Sequence, residues 1–561
     1  MTTNSKNRFN HNKYIPAKPV NLPERKWPNK VITKAPIWGS VDLRDGNQAL
    51  VEPMSVEQKK AMFKLLVDIG FKEIEVGFPS ASAPDFDFVR WLIEEDKVPE
   101  DVTLQVLTQA RPALIERTFE SLKGARRAIV HVYNSTSKIQ REQVFKLDRQ
   151  GIIDIAVEGA ETVKRFADES PSTEWVFQYS PESFTGTELD FAIDVVNAVT
   201  EVWQPTPDRP AIINLPATVE MTMPNVFADQ IEWFCANVKK RDAIIVSVHT
   251  HNDRGCGVAA AELAVLAGAQ RVEGTLMGNG ERTGNMDIIT MAMNLYSQGI
   301  DPKLDLSNMA KIVQLVNDCT QIEVHPRHPY AGELVFTAFS GSHQDAIKKC
   351  LAIQTSDKPW QVAYLPIDPS DLGRNYQEVI RVNSQSGKGG VAYSLERDYN
   401  VHMPRWLQIA FSKQVQQHAE TNGGEVSSEH IWDLFNKAYI SQTGPVSLGT
   451  FSFKRDVLDH LSAKIVVSNK PAQISGEGHG VVDAFSKAIQ QHMGFSLEIQ
   501  EYSEHAIEKG SDAKAISYVQ VTINGTAYQG VSIHEDIVSA SLNSIISAIN
   551  QSLNKANSEA A

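Results

Sequence analysis

Residues 38–48 read Trp38-Gly39-Ser40-Val41-Asp42-Leu43-Arg44-Asp45-Gly46-Asn47-Gln48, an apolar lead-in that delivers two carboxylates and a guanidinium before a glycine. The pattern predicts a strand over Val41–Asp45 that turns at Gly46. Side chains two apart share one face of a strand, so Asp42 and Arg44 are placed to pair there, which leaves Asp45 free for a cation. On these residues alone two readings stand together: a strand-terminal salt bridge with a glycine turn, or the edge of a metal site.

Outward from this stretch a strand-then-helix alternation occurs eight times. Strand-like runs fall at Val41–Asp45, Glu73–Phe78, Thr103–Thr108, Ala128–Tyr133, Trp175–Tyr179, Ile212–Leu215, Ile244–His251 and Val272–Met277. The first intervening helix opens on Ser55-Val56-Glu57-Gln58, a capping box, carries Met62, Leu65, Leu66 and Ile69 at helical spacing, and stops at Gly70. Strands alternating with helices mean parallel βαβ units, and eight of them fit a closed (β/α)8 TIM barrel better than an open sheet. In such a barrel, chemistry belongs at the C-terminal ends of the strands.

With 561 residues the chain is long enough for two or three domains. The expected division is an N-terminal arm over 1–30, the TIM-barrel catalytic domain over 31–325, connector subdomains over 326–429 and an α+β domain over 430–561. The formal net charge of -14 argues against nucleic acid, which needs clustered Lys and Arg, and in favour of small-molecule or protein partners. No run approaches the ~20 apolar residues of a membrane span, and Met1–Tyr14 has no signal-peptide core, so the cytoplasm is the expected compartment. Cys235, Cys256, Cys319 and Cys350 are too scattered for a disulfide framework or a thiolate zinc site, and Cys256 reads as a small buried thiol. Any metal is therefore held by oxygen and nitrogen.

In the connector, Ser384-Gln385-Ser386-Gly387-Lys388-Gly389-Gly390 reads as a flexible hinge or as a backbone nest for an anion. The last region has strand-like runs at Lys464–Ser468, Phe495–Glu501 and Tyr518–Ile523 and a closing helix near Ala540–Leu553. Its Gly476-Glu477-Gly478-His479-Gly480 lacks the preceding βαβ context of a dinucleotide loop.

The seventh strand ends Val248-His249-Thr250-His251-Asn252-Asp253. Alternation puts His249 and His251 on one face, where two imidazoles can grip one cation. After the eighth strand, Gly278-Asn279-Gly280-Glu281-Arg282-Thr283-Gly284-Asn285 supplies glycines for close backbone approach and Asn285 as an oxygen donor. Asp45, His249, His251 and Asn285 form a mixed hard set that suits Mg²⁺, Mn²⁺ or Zn²⁺. Glu182 and Thr218, after the fifth and sixth strands, are polar residues at the expected mouth.

The three motifs, residues 42–48, 249–253 and 278–285, resemble the signatures of the α-isopropylmalate synthase and homocitrate synthase family, metal-dependent barrels that condense or cleave acyl-CoA compounds. The arm, the connector stretches Phe339–Asp345 and Tyr364–Pro369, and the C-terminal domain are similar to the longer branch of that family. The resemblance implies condensation of acetyl-CoA with 3-methyl-2-oxobutanoate at the start of leucine synthesis, with 2-oxoglutarate- or pyruvate-using sister enzymes as the nearest alternatives. It implies a metal on Asp45, His249, His251 and Asn285, most readily Mg²⁺, and Arg44 stabilising the developing alkoxide. It also implies substrate contacts from Arg44, Gln48 and Thr218, an orienting or relay role for Glu182, and His343 with Tyr364 as the base that enolises acetyl-CoA. A homodimer with leucine as effector follows from the same resemblance, the effector falling near Gly476, Gly478, Asp512, Ala513 and Ala515.

Overall fold

The protein is described from a computed structural model that covers residues 11–374, 388–422, 426–441, 443–508, 510 and 513–560. It divides into one unit of residues 1–335 and 369–374, and a second of residues 336–368 and 375–561.

The first unit is a closed parallel barrel with strands in sequence order, β1 to β8. The strands are β1 (Ile37–Ser40), β2 (Glu73–Glu75), β3 (Thr103–Gln109), β4 (Arg127–Ser135), β5 (Glu174–Glu182), β6 (Ala211–Ala217), β7 (Ile244–Thr250) and β8 (Arg271–Gly274). Closure comes from β1 pairing with both β2 and β8. Helices α1 (Val56–Ile69), α2 (Ala83–Glu94), α3 (Pro112–Leu122), α4 (Arg149–Glu169), α5 (Leu189–Trp203), α6 (Pro224–Asn237), α7 (Gly257–Ala267), α8 (Ile288–Tyr296) and α9 (Met309–Thr320) follow in order. The capping box that starts α1 is formed in both directions, Ser55 Oγ accepting from the Gln58 amide at 3.3 Å and Gln58 Oε1 from the Ser55 amide at 2.8 Å. Gly70 ends the helix at φ +114°, a left-handed cap that glycine adopts without steric cost.

The expected first strand is corrected by the structure. Pairing stops at Ser40, and Asp42–Gly46 winds into a single π-type turn closed by the Gly46 amide on the Val41 carbonyl at 3.1 Å. Asp42 drives the change: one carboxylate oxygen accepts from Ser40 Oγ at 2.8 Å and the other from the Leu276 amide at 2.9 Å. Asp42 therefore ties β1 to the segment after β8 and does not pair with Arg44. Arg44 turns to Glu75 and Asp45 instead.

The second unit contains α10 (Gly341–Leu351), α11 (Lys388–Tyr399), α12 (Arg405–Asn422) and α13 (Ser428–Phe435). Two three-stranded antiparallel sheets follow, β9 (Val446–Arg455), β10 (Asp459–Val467) and β11 (Lys470–Gly478) in one, β12 (Leu497–Ala506), β13 (Ala515–Ile523) and β14 (Thr526–His534) in the other. Each sheet precedes a helix, α14 (Val481–Met493) and α15 (Ile537–Ala560). Twice as many strands form as the hydrophobic runs predicted. The three strands not expected are β9 and β11, which are largely exposed, and β14, in which only Gly530 and Val531 are buried, so their sequences carry little apolar alternation. Of the proposed hinge, residues 384–387 lie outside the described residues, and Lys388–Gly390 begin α11.

Candidate active site

Asp45 leaves the π-type turn after β1, while His249 projects from β7 and His251 follows its last residue. One ligand atom from each lies within 4.8 Å of the others. His249 Nε2 stands 3.3 Å from His251 Nε2 and 3.5 Å from Asp45 Oδ2. The backbone of Asn285 pairs with that of His251, and its Nδ2 is held by the Asn279 carbonyl at 2.9 Å.

The donor set fits a divalent cation. Asp45 Oδ2 and Asn285 Oδ1 are buried without a hydrogen-bond partner, and unpaired buried oxygens are costly unless something supplies positive charge. Two facing imidazole nitrogens at 3.3 Å cannot both carry protons. With protons alone the site polarises. Burial lowers His249, but the carboxylates of Asp45 and Glu273 beside the ring overcome it and bring the imidazole up to about 9. Burial and the neighbouring His249 charge push His251 down to about 4. Burial opposes ionisation of Asp45 as well, yet Arg44 and the two histidines hold its carboxyl far below the usual range.

The glycines of residues 278–284 make the approach of Asn285 feasible. A Cβ at Gly280 would lie 2.2 Å from Asn285 Nδ2, and one at Gly284, where φ is +99°, would lie 1.9 Å from the Gly278 carbonyl oxygen.

Arg44 is sunk in the wall beside this cluster, Nε on Glu75 Oε2 and Nη1 on Asp45 Oδ1, both at 2.5 Å. Burial disfavours its charge, but Glu75 and Asp45 keep the guanidinium protonated. Arg44, Gln48, Glu182, Thr218, His249 and His251 all face one cavity at the barrel mouth. Glu182 accepts from Ser135 Oγ. Thr218 Oγ1 accepts from the Ser183 amide at 3.0 Å, which leaves its own hydrogen available to the cavity. Arg282 holds the rim together, donating to Asp253 Oδ1 and to the Thr218 carbonyl, both at 2.6 Å.

His343 and Tyr364 belong to the second unit, where their rings stack with centroids 3.9 Å apart. Gly476 and Gly478 sit in β11 where it crosses α14: a Cβ at either would come within 2.4 Å of the Ala484 backbone. Ala515 begins β13 and Ala513 precedes it, while Asp512 lies outside the described residues. Cys256 is partly exposed, not buried, with Sγ 3.5 Å from the Arg254 carbonyl.

Sequence reasoning missed the floor beneath the mouth. His131 Nδ1 meets Glu75 Oε1 and its Nε2 meets Ser180 Oγ, each at 2.7 Å, and Asn214 Nδ2 donates to the same Ser180 at 3.1 Å. Glu273 and Arg271 lie deeper, both fully buried. A signal was present: Ile74-Glu75, Leu104-Gln105-Val106, Val130-His131-Val132, Ile213-Asn214-Leu215 and Val272-Glu273 place one polar residue inside strands that a parallel barrel ordinarily fills with aliphatic side chains.

Residues 35–316 match the HMGL-like family, residues 333–396 the alpha-isopropylmalate synthase post-catalytic domain-like family, and residues 425–553 the LeuA allosteric (dimerisation) domain. A 2-isopropylmalate synthase of Paraburkholderia xenovorans is 53% identical over 552 residues, spanning 98% of this chain and 96% of that protein. The chain belongs to the 2-isopropylmalate synthase family. Family members from Ralstonia nicotianae and Rhodospirillum rubrum are each 54% identical, over 543 and 546 residues; both alignments span 96% of this chain, and 94% and 98% of the respective relatives. Among the described residues no helix is long and apolar enough to cross a membrane.

Proposed function

We propose that the protein condenses acetyl-CoA with 3-methyl-2-oxobutanoate and water to give 2-isopropylmalate and CoA, the first committed step of leucine biosynthesis. The observation that carries this reading is the buried Asp45, His249 and His251 cluster beside Arg44 at the barrel mouth, in a chain 53% identical to a 2-isopropylmalate synthase along nearly its whole length. In the reaction a proton leaves the acetyl methyl group and the new carbon bonds to the ketone carbon of the keto acid. Water then cleaves the thioester, and CoA departs as its thiol.

Asp45, His249 and His251 with Asn285 would hold a divalent cation, which would supply Lewis-acid polarisation of the keto-acid carbonyl; Mg²⁺ is the ion we assign, Mn²⁺ and Zn²⁺ sharing the donor preferences. Arg44, immobilised by Glu75, meets the negative charge that grows on the former ketone oxygen, a preorganised donor of the kind worth ~3 to 4 kcal/mol. Thr218 donates its free hydroxyl hydrogen to the substrate carboxylate, and Gln48 adds an amide to the same pocket. Glu182 orients the substrate or relays a proton. His343, braced by Tyr364, is the base that removes the acetyl proton.

The working form is a cytoplasmic homodimer. Leucine, the end product, binds the C-terminal domain around Gly476, Gly478, Asp512, Ala513 and Ala515 and lowers activity. The barrel, connector and C-terminal domain divide near residues 325 and 430, behind an arm of about 30 residues.

Thiol release from acetyl-CoA with Mg²⁺ tests the reading, using 3-methyl-2-oxobutanoate, 2-oxoglutarate and pyruvate in parallel. The branched keto acid should react fastest and EDTA should stop the reaction. Preference for either other acid moves the assignment to a sister enzyme, and no thiol release with any of them rejects it. Full activity at saturating leucine, with no leucine binding by calorimetry, rejects the regulatory part alone.

A further inference from the structure

Glu273 has no role in the chemistry described so far, yet it is the most heavily engaged carboxylate in the barrel. It is fully buried at the second-last position of β8. Its Oε1 accepts from Gln105 Nε2 at 3.0 Å, Gln178 Nε2 at 2.7 Å and Arg271 Nη1 at 2.7 Å. Its Oε2 accepts from Asn214 Nδ2 at 3.1 Å and faces His249 Nδ1 at 3.1 Å. The partners come from β3, β5, β6, β7 and β8, so five of the eight strands aim a donor at one carboxylate.

Such a cluster is expensive to bury unless each member is satisfied, and its members are interlocked. Arg271 also donates Nε to Glu73 at 2.5 Å, Nη1 to Ser247 at 2.9 Å and Nη2 to Gln105 Oε1 at 2.8 Å. The guanidinium passes so close to β1 that a Cβ at Gly39 would lie 2.6 Å from its Nη2. With Arg271 ion-paired to it, Glu273 is a pure acceptor, and the imidazole nitrogen facing it must carry the hydrogen. The opposite nitrogen of the same ring, Nε2, is the one that faces Asp45 Oδ2 and His251.

We propose that Glu273 is a positioning residue for the metal centre: anchored by Arg271, Gln105 and Asn214, it takes the Nδ1 hydrogen of His249, fixes that ring's tautomer and angle, and thereby presents the Nε2 lone pair to the cation. The proposal rests on the divalent-cation reading of Asp45, His249 and His251 given above. It makes Glu273 part of the metal site: a carboxylate behind a histidine ligand raises its basicity and removes its rotational freedom, and loss of such a partner commonly weakens metal binding about tenfold to a hundredfold.

Calorimetric titration of Mg²⁺ into EDTA-stripped full-length protein tests it, comparing wild type, Glu273→Gln and a control, Gln178→Met. The control removes one donor from Oε1 and leaves the His249 contact untouched. Expected is a Mg²⁺ affinity about ten to a hundred times weaker in Glu273→Gln, with turnover recovering as Mg²⁺ is raised, and an affinity in Gln178→Met within about twofold of wild type even where its melting temperature falls. Equal affinities in wild type and Glu273→Gln overturn the proposal, as does an equal loss in both variants, which would be a generic effect of disturbing the floor. Wild-type protein that binds none of Mg²⁺, Mn²⁺ and Zn²⁺ rejects the cation reading itself and this proposal with it. Should Glu273→Gln fail to fold, neutron diffraction from metal-loaded wild-type crystals decides: deuterium on His249 Nδ1 towards Glu273 supports the assignment, and its absence overturns it.

Discussion

The interior of the barrel and the core of the second unit are equally dry and chemically opposite. Inside the barrel, Glu75, Gln105, His131, Gln178, Asn214, Arg271 and Glu273 are each 3% exposed or less and are joined by hydrogen bonds and ion pairs. In the second unit, Val446, Leu461, Ile465, Phe485, Leu542, Ile545 and Ile549 form a continuous apolar cluster between sheets and helices. Apolar contact is non-directional and holds elements together without fixing a side chain's angle. A satisfied polar network fixes angles, at the cost that each lost partner leaves a buried group unpaired. The chain spends its polar interior where Arg44, Asp45 and His249 must be aimed.

The largest effect expected is at the mouth. His249→Ala should lower thiol release by about a thousandfold or more, since the Lewis-acid contribution is several kcal/mol. Calorimetry should show Mg²⁺ binding lost while melting is little changed, and near-normal turnover would break the link between the mouth and the metal.

Removing charge from the floor compares the two interiors directly. Arg271→Met should cost about 3 to 5 kcal/mol because it strands Glu273, whereas Ile545→Val in the second unit should cost about 0.5 to 1.5 kcal/mol. Denaturant unfolding followed separately for the two units measures both, and equal costs would erase the contrast. Arg44→Lys keeps the charge but not the fork that spans Glu75 and Asp45. It should reduce kcat by about a hundredfold to a thousandfold with a smaller change in KM.

Among the buried polar groups, the smallest expected effect concerns Asp42. Burial lifts its carboxyl to about 7, against hydrogen bonds from Ser40 and the Leu276 amide that pull the other way. Between about pH 4, where the unfolded carboxyl titrates, and about pH 7, the folded protein holds a proton that the unfolded chain has released. Stability therefore falls as pH rises through that window. Asp42→Asn should flatten this slope, by about 2 to 3 kcal/mol between pH 5 and pH 8. An unchanged difference in melting temperature between those two pH values would show that Asp42 is not the group responsible.

Much of the first unit was legible because its signals are local. Periodicity predicted eight strands, and a closed eight-stranded barrel is present. Ser55 and Gln58 predicted a helix start that forms as expected. Alternation along β7 put His249 and His251 on one side, and the 278–285 glycines predicted the close approach of Asn285. The turn at Asp42–Gly46 was misread as strand because its cause, the Leu276 amide, lies 234 residues away in sequence. Half the strands of the second unit, β9, β11 and β14, were missed because exposed or half-exposed faces blur the apolar alternation.

The sequence by itself determined the alternation that makes a barrel, the end of β7 that carries His249 and His251, and membership in a family of condensing enzymes. Only the tertiary structure decided what Asp42, Arg44 and Glu273 do. Backbone periodicity and helix caps act within a few residues and leave a local trace. The partners of a buried charge are chosen by whichever strands converge on it, and in a closed barrel those strands come from the full length of the chain.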